Sequence, residues 1–177
     1  MRAARPTNMK DDTIDALELL RSQHEEVENL IEQIESSEDP EEKLALFEEM
    51  ADKLAAHSTI EEKIFYPAVM DASTRENLIE STEEHLSVKR LLADMMELDV
   101  EDEHFDAKLS VVKEQIRHHA HDEEEDTLFP KVRRLMDKDD LAALGNELIV
   151  MFETLLEQSP RKNVPAETAE PAALPQM

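Results

Sequence analysis

Apolar residues recur along most of this chain with the three- and four-residue spacing that places side chains on one face of an α-helix. Five stretches follow this pattern, and the predicted helices span about 12–35, 40–70, 73–98, 101–136 and 139–158. Glu, Leu, Ala and Lys, which favour helices, are abundant, and the chain has a single glycine. The pattern therefore predicts an all-α protein.

Polar residues between these stretches are of the kinds that begin helices. Asp11 or Asp12 lies near the first predicted start, and Asp39 precedes Pro40, which suits the first position of a helix. Residues 73–76 have the spacing of a capping box. These signals separate four long helices and a fifth, shorter one.

The two ends of the chain differ in composition from its middle. Residues 1–10 lack periodic apolar positions and are predicted to be flexible. Residues 11–158 are predicted to form one domain, long enough to bury a core. Residues 159–177 are rich in Pro, Ala and Glu, which predicts a disordered tail.

A histidine and a glutamate stand where the apolar face of the second predicted helix should continue. His57 and Glu61 are four residues apart, so a helix presents both on the face that carries Leu54 and Ile64. A buried carboxylate is costly unless a metal ion or a basic side chain pairs with it. Because so short a spacing also arises by chance, this pair alone leaves a metal site and a polar core network as alternatives.

The second half of the chain repeats this arrangement, which favours the metal site. The apolar positions before His57 coincide with those before His119, and each histidine has a glutamate four residues later. Each half also begins with a lone histidine, His24 or His85, whose apolar neighbours lie at identical offsets. Four helices thus offer to one core the side chains of a di-metal carboxylate site, namely His24, His57, His85, His119, Glu61 and Glu123.

The acidic run after His119 leaves the second glutamate open. Glu123 lies four residues after His119, as in the first half. However, the stretch from this histidine to Pro130 is one residue longer than its counterpart, and counting back from the proline selects Glu124. Five residues of a regular helix turn through about 140°, so Glu124 shares a face with His119 only if a π-bulge forms near Asp122.

Two further histidines lie in the same run. His118 and His121 are displaced from His119 by about 100° or more around a regular helix, so we expect them on the surface or behind the site. Either could supply a fifth ligand only if the helix is locally distorted. The pair His121 and Glu125 is a weaker alternative to the one that contains His119.

Composition limits the kinds of partner. The chain has 44 acidic and 19 basic residues and a formal net charge of −25, which argues against nucleic acids and anionic membranes. It has no cysteine, which excludes thiolate metal sites and leaves histidine and carboxylate ligands. No apolar run reaches membrane-spanning length and no secretory signal is evident, so we expect a cytoplasmic protein, as a monomer.

The order of these motifs resembles that of the bacterial hemerythrin-like (HHE cation-binding) domains. A lone histidine, an HxxxE pair, a second lone histidine and a second HxxxE-like unit follow one another within residues 12–157. The phrases that carry the resemblance are DALELLRSQHEEV, HSTIEEKIFYP, HHAHDEEEDTLFPKVR and LAALGNEL. The resemblance implies an up-down four-helix bundle, here with a fifth C-terminal helix, that holds two non-haem iron ions bridged by carboxylates.

The resemblance also implies a role for each residue. The implied terminal ligands are His24, His57, His85 and His119, and the implied bridging ligands are Glu61 and either Glu123 or Glu124. Oxygen-carrying hemerythrins have a fifth histidine, commonly in an HxxxH pair on the third helix, whereas Ser81 and Lys89 flank His85 at that spacing here. This departure favours reaction or sensing over reversible oxygen carriage.

Three functions fit the sequence. The first is a di-iron protein that binds or reacts with O2, peroxide or nitric oxide, or handles iron in oxidative or nitrosative stress; a catalase-like activity would need no separate electron donor. The second is an iron- or oxygen-responsive sensor that reports to a protein partner through the fifth helix or the tail. The third is a metal-free core network, which six buried polar residues disfavour because each needs a buried partner.

Overall fold

The computed structural model describes residues 14–176, and every regular element within that range is a helix. The first half comprises α1 (Ala16–Ser36), α2 (Pro40–Ile60), a π-helical segment (Glu61–Phe65) and α3 (Tyr66–Ala68). The second half comprises α4 (Arg75–Met96), α5 (Glu103–Arg117), a π-helical segment (His118–Leu128) and α6 (Phe129–Leu135). α7 (Lys138–Leu156) and a 3-10 helix (Pro160–Glu167) follow. The predicted all-α fold is confirmed, and none of these helices is long and apolar enough to span a membrane.

The four long helices surround one interior, but they do not pack equally closely. α1 packs against α2 and α5, and α4 packs against α5. α2 and α4 pack only loosely against each other, and the 3-10 helix contacts both of them. The seam between α2 and α4 is therefore covered by a segment from the C-terminal part of the chain.

Aspartates begin several of the helices. α1 begins at Ala16, later than predicted, because Asp15 forms a capping box with Glu18. The predicted caps further upstream and the predicted flexible residues 1–10 lie outside the described residues. α2 begins after Asp39, as predicted.

The capping box predicted at residues 73–76 is wrong. α4 begins at Arg75, but no side chain caps its first turn. The hydroxyl of Thr74 instead donates to the backbone carbonyl of Val69, at 2.8 Å. This hydroxyl therefore stabilises the turn between α3 and α4 and does not cap the first turn of α4.

Two apolar clusters fill the bundle, one towards each end. One includes Phe47 and Phe105, which meet edge to face, and the other includes Leu17, Phe65 and Phe129. The layer between them is polar and buried, and it comprises Gln23, His24, His57, Glu61, His85, His119 and Glu124. The candidate site thus lies inside the protein, where unpaired charge is costly.

α7 lies mainly against the first half, on α1, α2 and the first π-helical segment. Gly145 faces the start of α1, where an added Cβ would lie 2.6 Å from the carbonyl oxygen of Ile14 and 2.9 Å from the nitrogen of Ala16. Helix propensity alone would make a glycine at this position only a weakness in the helix. The structure shows that it allows two backbones to approach closely.

The C-terminal segment differs from the predicted disordered tail. The chain turns at Ser159, which has a left-handed φ of 50°, and residues 160–167 then form the 3-10 helix. Val164 is buried and Arg161 pairs with Asp52 at 2.6 Å. Composition predicted disorder because large apolar residues are so sparse here, but a buried valine and several polar contacts fix the segment to the bundle.

Candidate metal centre

The first π-helical segment follows directly on α2 and begins with Glu61. It ends where the backbone N–H of Tyr66 donates to the carbonyl of Glu61, five residues back. The next residue is Pro67, which has no N–H, so a regular helical hydrogen bond would be missing at this point in any case. The sequence did not predict this segment, because His57 and Glu61 precede it at ordinary helical spacing.

The second π-helical segment separates the two rival glutamates. It begins at His118, so its widened turns lie between His119 and the acidic run, and they turn Glu124 into the interior, where it is fully buried. The side chain of Glu123 is 19% exposed and lies outside the cluster. A distortion here was the condition for Glu124 to share a face with His119, and Glu124 is the carboxylate that lies beside the histidines.

Glu61 lies at the centre of the site and faces histidines from both halves. Its Oε1 is 3.2 Å from Nε2 of His57. Its Oε2 is 3.1 Å from Nε2 of His85 and 3.9 Å from Nε2 of His119. The two oxygens of one carboxylate therefore point to two different groups of histidines.

Glu124 completes the first of these groups. Its Oε2 lies 3.2 Å from Nε2 of His24 and 3.8 Å from Nε2 of His119. Two sets of buried side chains, each with one ligand atom within 4.8 Å of the others, could each hold a metal ion: His24, His57, Glu61 and Glu124, and Glu61, His85 and His119. Six of the seven residues predicted as candidates are thus brought together, with Glu61 common to both sets.

Four buried atoms in this site have no hydrogen bond. They are Nε2 of His24, Nε2 of His57, Oε1 of Glu61 and Oε2 of Glu124, which all belong to the first set. A buried polar atom without a partner costs about 1–3 kcal/mol, so four together call for a missing partner. Imidazole and carboxylate ligands suit first-row divalent metals, and the residues present therefore fit a metal ion.

The other ring nitrogen of each histidine is held by a neighbouring side chain. The acceptors are carboxylate or amide oxygens, so Nδ1 donates and the lone pair of Nε2 faces the cluster. The contacts, all 2.7–2.9 Å, join His24 to Glu125, His57 to Gln23, His85 to Glu62 and His119 to Glu84. The sequence did not reveal these partners, because acidic residues on helices usually lie on solvated surfaces.

Charges in the metal-free site are balanced by protons on imidazoles. Burial lowers the pKa of His24, but the adjacent carboxylates of Glu124 and Glu125 outweigh it and raise the pKa from 6.5 to about 9. The pKa values of both second-half histidines are likewise raised by carboxylates despite burial. Burial dominates at His57 and lowers its pKa. Burial would raise the pKa of Glu61, but the surrounding histidines keep it well below its usual range, so a cation is required beside this carboxylate.

Tyr66 is a member of the site that the sequence did not identify. Its hydroxyl lies 3.0 Å from Oε1 of Glu124, 3.2 Å from Oε2 of Glu61 and 3.4 Å from Nε2 of His85. Burial and the two carboxylates raise its pKa well above 10, so the hydroxyl keeps its proton. The sequence held one indication of this role. The first half reads FYP where the second half reads LFP, so Tyr66 stands at the position that Phe129 occupies in the second half.

Two predicted alternatives lie outside the cluster. His118 is half exposed and pairs with Asp122 at 2.9 Å. His121 pairs with Glu28 and lies 3.5 Å from Glu125, on the outer side of the helix. Neither histidine reaches the buried carboxylates, and Glu125 instead holds His24 in place.

A helical bundle with His and Glu clusters buried at its centre defines a metal-binding helical domain. The chain belongs to the Hemerythrin HHE cation binding domain family, whose model matches residues 15–132. This confirms the resemblance inferred from the order of the motifs. The matched range contains both clusters and ends before α7 and the 3-10 helix.

The fold is also similar to that of a solved structure. This is the crystal structure of a Hemerythrin HHE cation binding domain-containing protein from Mycobacterium kansasii, with a TM-score of 0.73 and 24% sequence identity. The similarity covers 85% of this chain and 92% of that chain. No curated protein matches the sequence. At this identity the likeness shows the bundle fold alone.

Proposed function

We propose that this chain is a non-haem di-iron protein that binds or reacts with O2, peroxide or nitric oxide. The observation that carries the proposal is the set of four buried ligand atoms without hydrogen bonds, joined through Glu61 to a second set. The proposed ligands of one iron are His24, His57, Glu61 and Glu124, and those of the other are His85, His119 and Glu61. The position of Glu61, with one oxygen towards each set, supports its role as a bridge.

Iron held there would supply one-electron redox chemistry and a coordination position for a small oxygen- or nitrogen-containing ligand. The chain's own residues supply the rest. The hydroxyl of Tyr66 keeps a proton among the carboxylates, between the two sets of ligands. We expect this hydroxyl to donate a hydrogen bond to an oxygen-containing ligand, and the apolar clusters on both sides to exclude bulk water.

Metal content tests the proposal. Protein purified from iron-supplemented cells is expected to carry about two irons per chain and to show visible absorption of an iron centre. His57→Ala should lose iron and absorption, whereas His121→Ala, which changes a histidine outside the cluster, should retain both. If the purified protein contains no metal, and the His57→Ala variant folds as well as the unchanged protein, the di-iron proposal is refuted and a polar core network is favoured.

Ligand assays then distinguish the possible uses of the iron. Catalase-like activity converts two molecules of hydrogen peroxide into two of water and one of O2, so evolved O2 measures it without any electron donor. Nitric oxide binding is measured by the change in the visible spectrum under argon. If iron-loaded protein evolves no O2 from hydrogen peroxide, and its visible spectrum changes with neither nitric oxide nor O2, the reactive function is contradicted. The proposal of metal binding would still stand.

An iron-responsive sensor is the second candidate, and one chain of contacts favours it. Glu62 holds Nδ1 of His85 at 2.9 Å and also accepts from Nζ of Lys89 at 2.9 Å. Lys89 pairs in turn with Glu167 of the 3-10 helix, at 3.2 Å. A change at His85 can thus reach the C-terminal segment. We expect hydrogen exchange of residues 160–167 to slow on metal binding, and equal exchange with and without metal would remove this support.

A further inference from the structure

We propose that Val164 closes the cavity beside the candidate metal centre and determines which molecules reach it. The inference rests on the proposed function, because it concerns the ligand of the same site. Val164 belongs to the 3-10 helix Pro160–Glu167, which lies outside the residues 15–132 that match the family. This wall of the cavity therefore comes from residues beyond the range that the family model matches.

The cavity has the size of a very small ligand. Its volume is about 40 Å³, and one side is bordered by the four histidines of the site. Its other walls include Val27, Leu92 and Val164. A water molecule needs roughly 10–15 Å³ of such space, so the cavity suits a ligand of about two or three non-hydrogen atoms. O2, nitric oxide and hydrogen peroxide all meet this limit.

Val164 occupies the loosely packed seam between α2 and α4. Its side chain is only 1% exposed, whereas the neighbouring residues 162–163 and 165–167 are exposed. The 3-10 helix therefore inserts one side chain into the cavity wall and leaves the rest of its middle on the surface. Removing that side chain should open the wall without disturbing the four-helix core.

Polar contacts hold this segment across the seam. Arg161 pairs with Asp52 at 2.6 Å and with Glu48 at 3.0 Å. Arg90 donates to the backbone carbonyls of Thr168 and Ala169. Such contacts near the surface are individually weak, so the segment can open locally while the bundle remains folded. Local opening would give ligands a route to the histidines.

Val164→Ala tests the wall, and Val150→Ala is the matched control because Val150 is 67% exposed on α7. In iron-loaded protein, Val164→Ala should speed iron removal by a chelator about tenfold and allow tert-butyl hydroperoxide to react. Val150→Ala should behave as the unchanged protein does. Equal chelator rates and equal discrimination against tert-butyl hydroperoxide in the two variants would overturn the proposal.

Xenon tests the same wall without metal. Xenon enters dry apolar cavities, so metal-free Val164→Ala should bind it at least about threefold more tightly than Val150→Ala. The methyl NMR signals of Val27 and Leu92 report its binding. Equal xenon affinity would show that Val164 does not bound the cavity. If the protein holds no iron, the proposed function fails, but the xenon result still decides the role of Val164.

A disulfide tests whether movement of the segment matters. The chain has no cysteine, so Asp52→Cys/Arg161→Cys introduces a single pair. The two positions are close, because a carboxylate oxygen of Asp52 accepts from the backbone N–H of Arg161 at 3.0 Å. Iron removal should be about tenfold slower from the oxidised than from the reduced form. Equal rates in the two forms would exclude access by opening of this segment.

Discussion

The two halves of the candidate centre use one plan. In each half, the lone histidine is held by the glutamate that follows the other half's buried carboxylate, as His24 is by Glu125. In each half, the second histidine is held from within its own half, by the residue that precedes the lone histidine, as His119 is by Glu84. Each half therefore orients the lone histidine of the other, and neither could form the site alone.

The differences between the halves lie at the ligands themselves. The set built on His24 and His57 has four candidate ligands, whereas the set built on His85 and His119 has three. The hydroxyl of Tyr66 lies between the two sets, near Glu124 and His85, and the equivalent Phe129 only stacks on His24. A duplicated frame has thus become asymmetric: one set has more protein ligands, and a buried hydroxyl lies between the two sets, where the other half has only a phenyl ring.

The largest expected effect comes from removing the carboxylate that distinguishes the larger set. Glu124→Gln should weaken binding at that set by at least about 100-fold, because a neutral amide replaces a buried anionic ligand. Glu123→Gln is the matched control and should retain affinity. Iron content and calorimetric titration of the metal-free protein measure both. Similar losses in the two variants would contradict the assignment of Glu124.

The sequence predicted the histidines of this site well, because their phase is fixed by apolar neighbours on every turn. It could not choose between Glu123 and Glu124, since neighbouring acidic residues have the same chemistry and only the helix geometry separates them. The offset of Pro130 was the one clue, and it pointed to Glu124. The same offset left a π-bulge and a regular helix as the two alternatives for this stretch.

Features that depend on contacts between distant residues were not predictable. Glu62 and Glu84 resemble solvated surface residues until the fold brings His85 and His119 to them. The C-terminal segment has the composition of a disordered tail, yet Val164 finds a gap that exists only in the folded bundle. Periodicity describes one helix face at a time and carries no information on such gaps.

A second difference between the halves is α7, which packs mainly against the first half. A substitution at Gly145 tests how closely α7 approaches the start of α1. Gly145→Ala places a Cβ 2.6 Å from the carbonyl oxygen of Ile14. We expect a net loss of about 1–2 kcal/mol in the free energy of unfolding, since the clash exceeds the gain in helix propensity. Asn146→Ala, on the exposed side of α7, should stabilise slightly. Urea unfolding measures both, and a more stable Gly145→Ala would show that the approach is looser.

The pH dependence of stability provides a smaller test, centred on His24. Its pKa rises from 6.5 to about 9 in the folded, metal-free protein. The resulting stabilisation is fully present below about pH 6.5 and is lost as the pH rises towards 9. Metal binding requires neutral His24, so the metal-induced increase in Tm should grow over the same range, by several degrees. Thermal unfolding with and without ferrous iron measures it, and a constant increase would contradict proton–metal competition.

The smallest expected effect comes from giving His57 and His119 the same kind of hydrogen-bond acceptor. His57 is held by the neutral Gln23, whereas its counterpart His119 is held by the charged Glu84. Gln23→Glu should raise the pKa of His57, which burial lowers in the present protein, and Glu84→Gln should lower the pKa of His119. Both values are measured by NMR titration of the metal-free protein.

Metal affinity should change only about a few-fold in either variant, because the ring orientation is kept by an oxygen acceptor of the same length. The two exchanges should shift the histidine pKa values in opposite directions, which a general loss of stability would not do. Shifts of the same sign would mean that the difference between the halves arises elsewhere, at Tyr66 or in the unequal number of ligands.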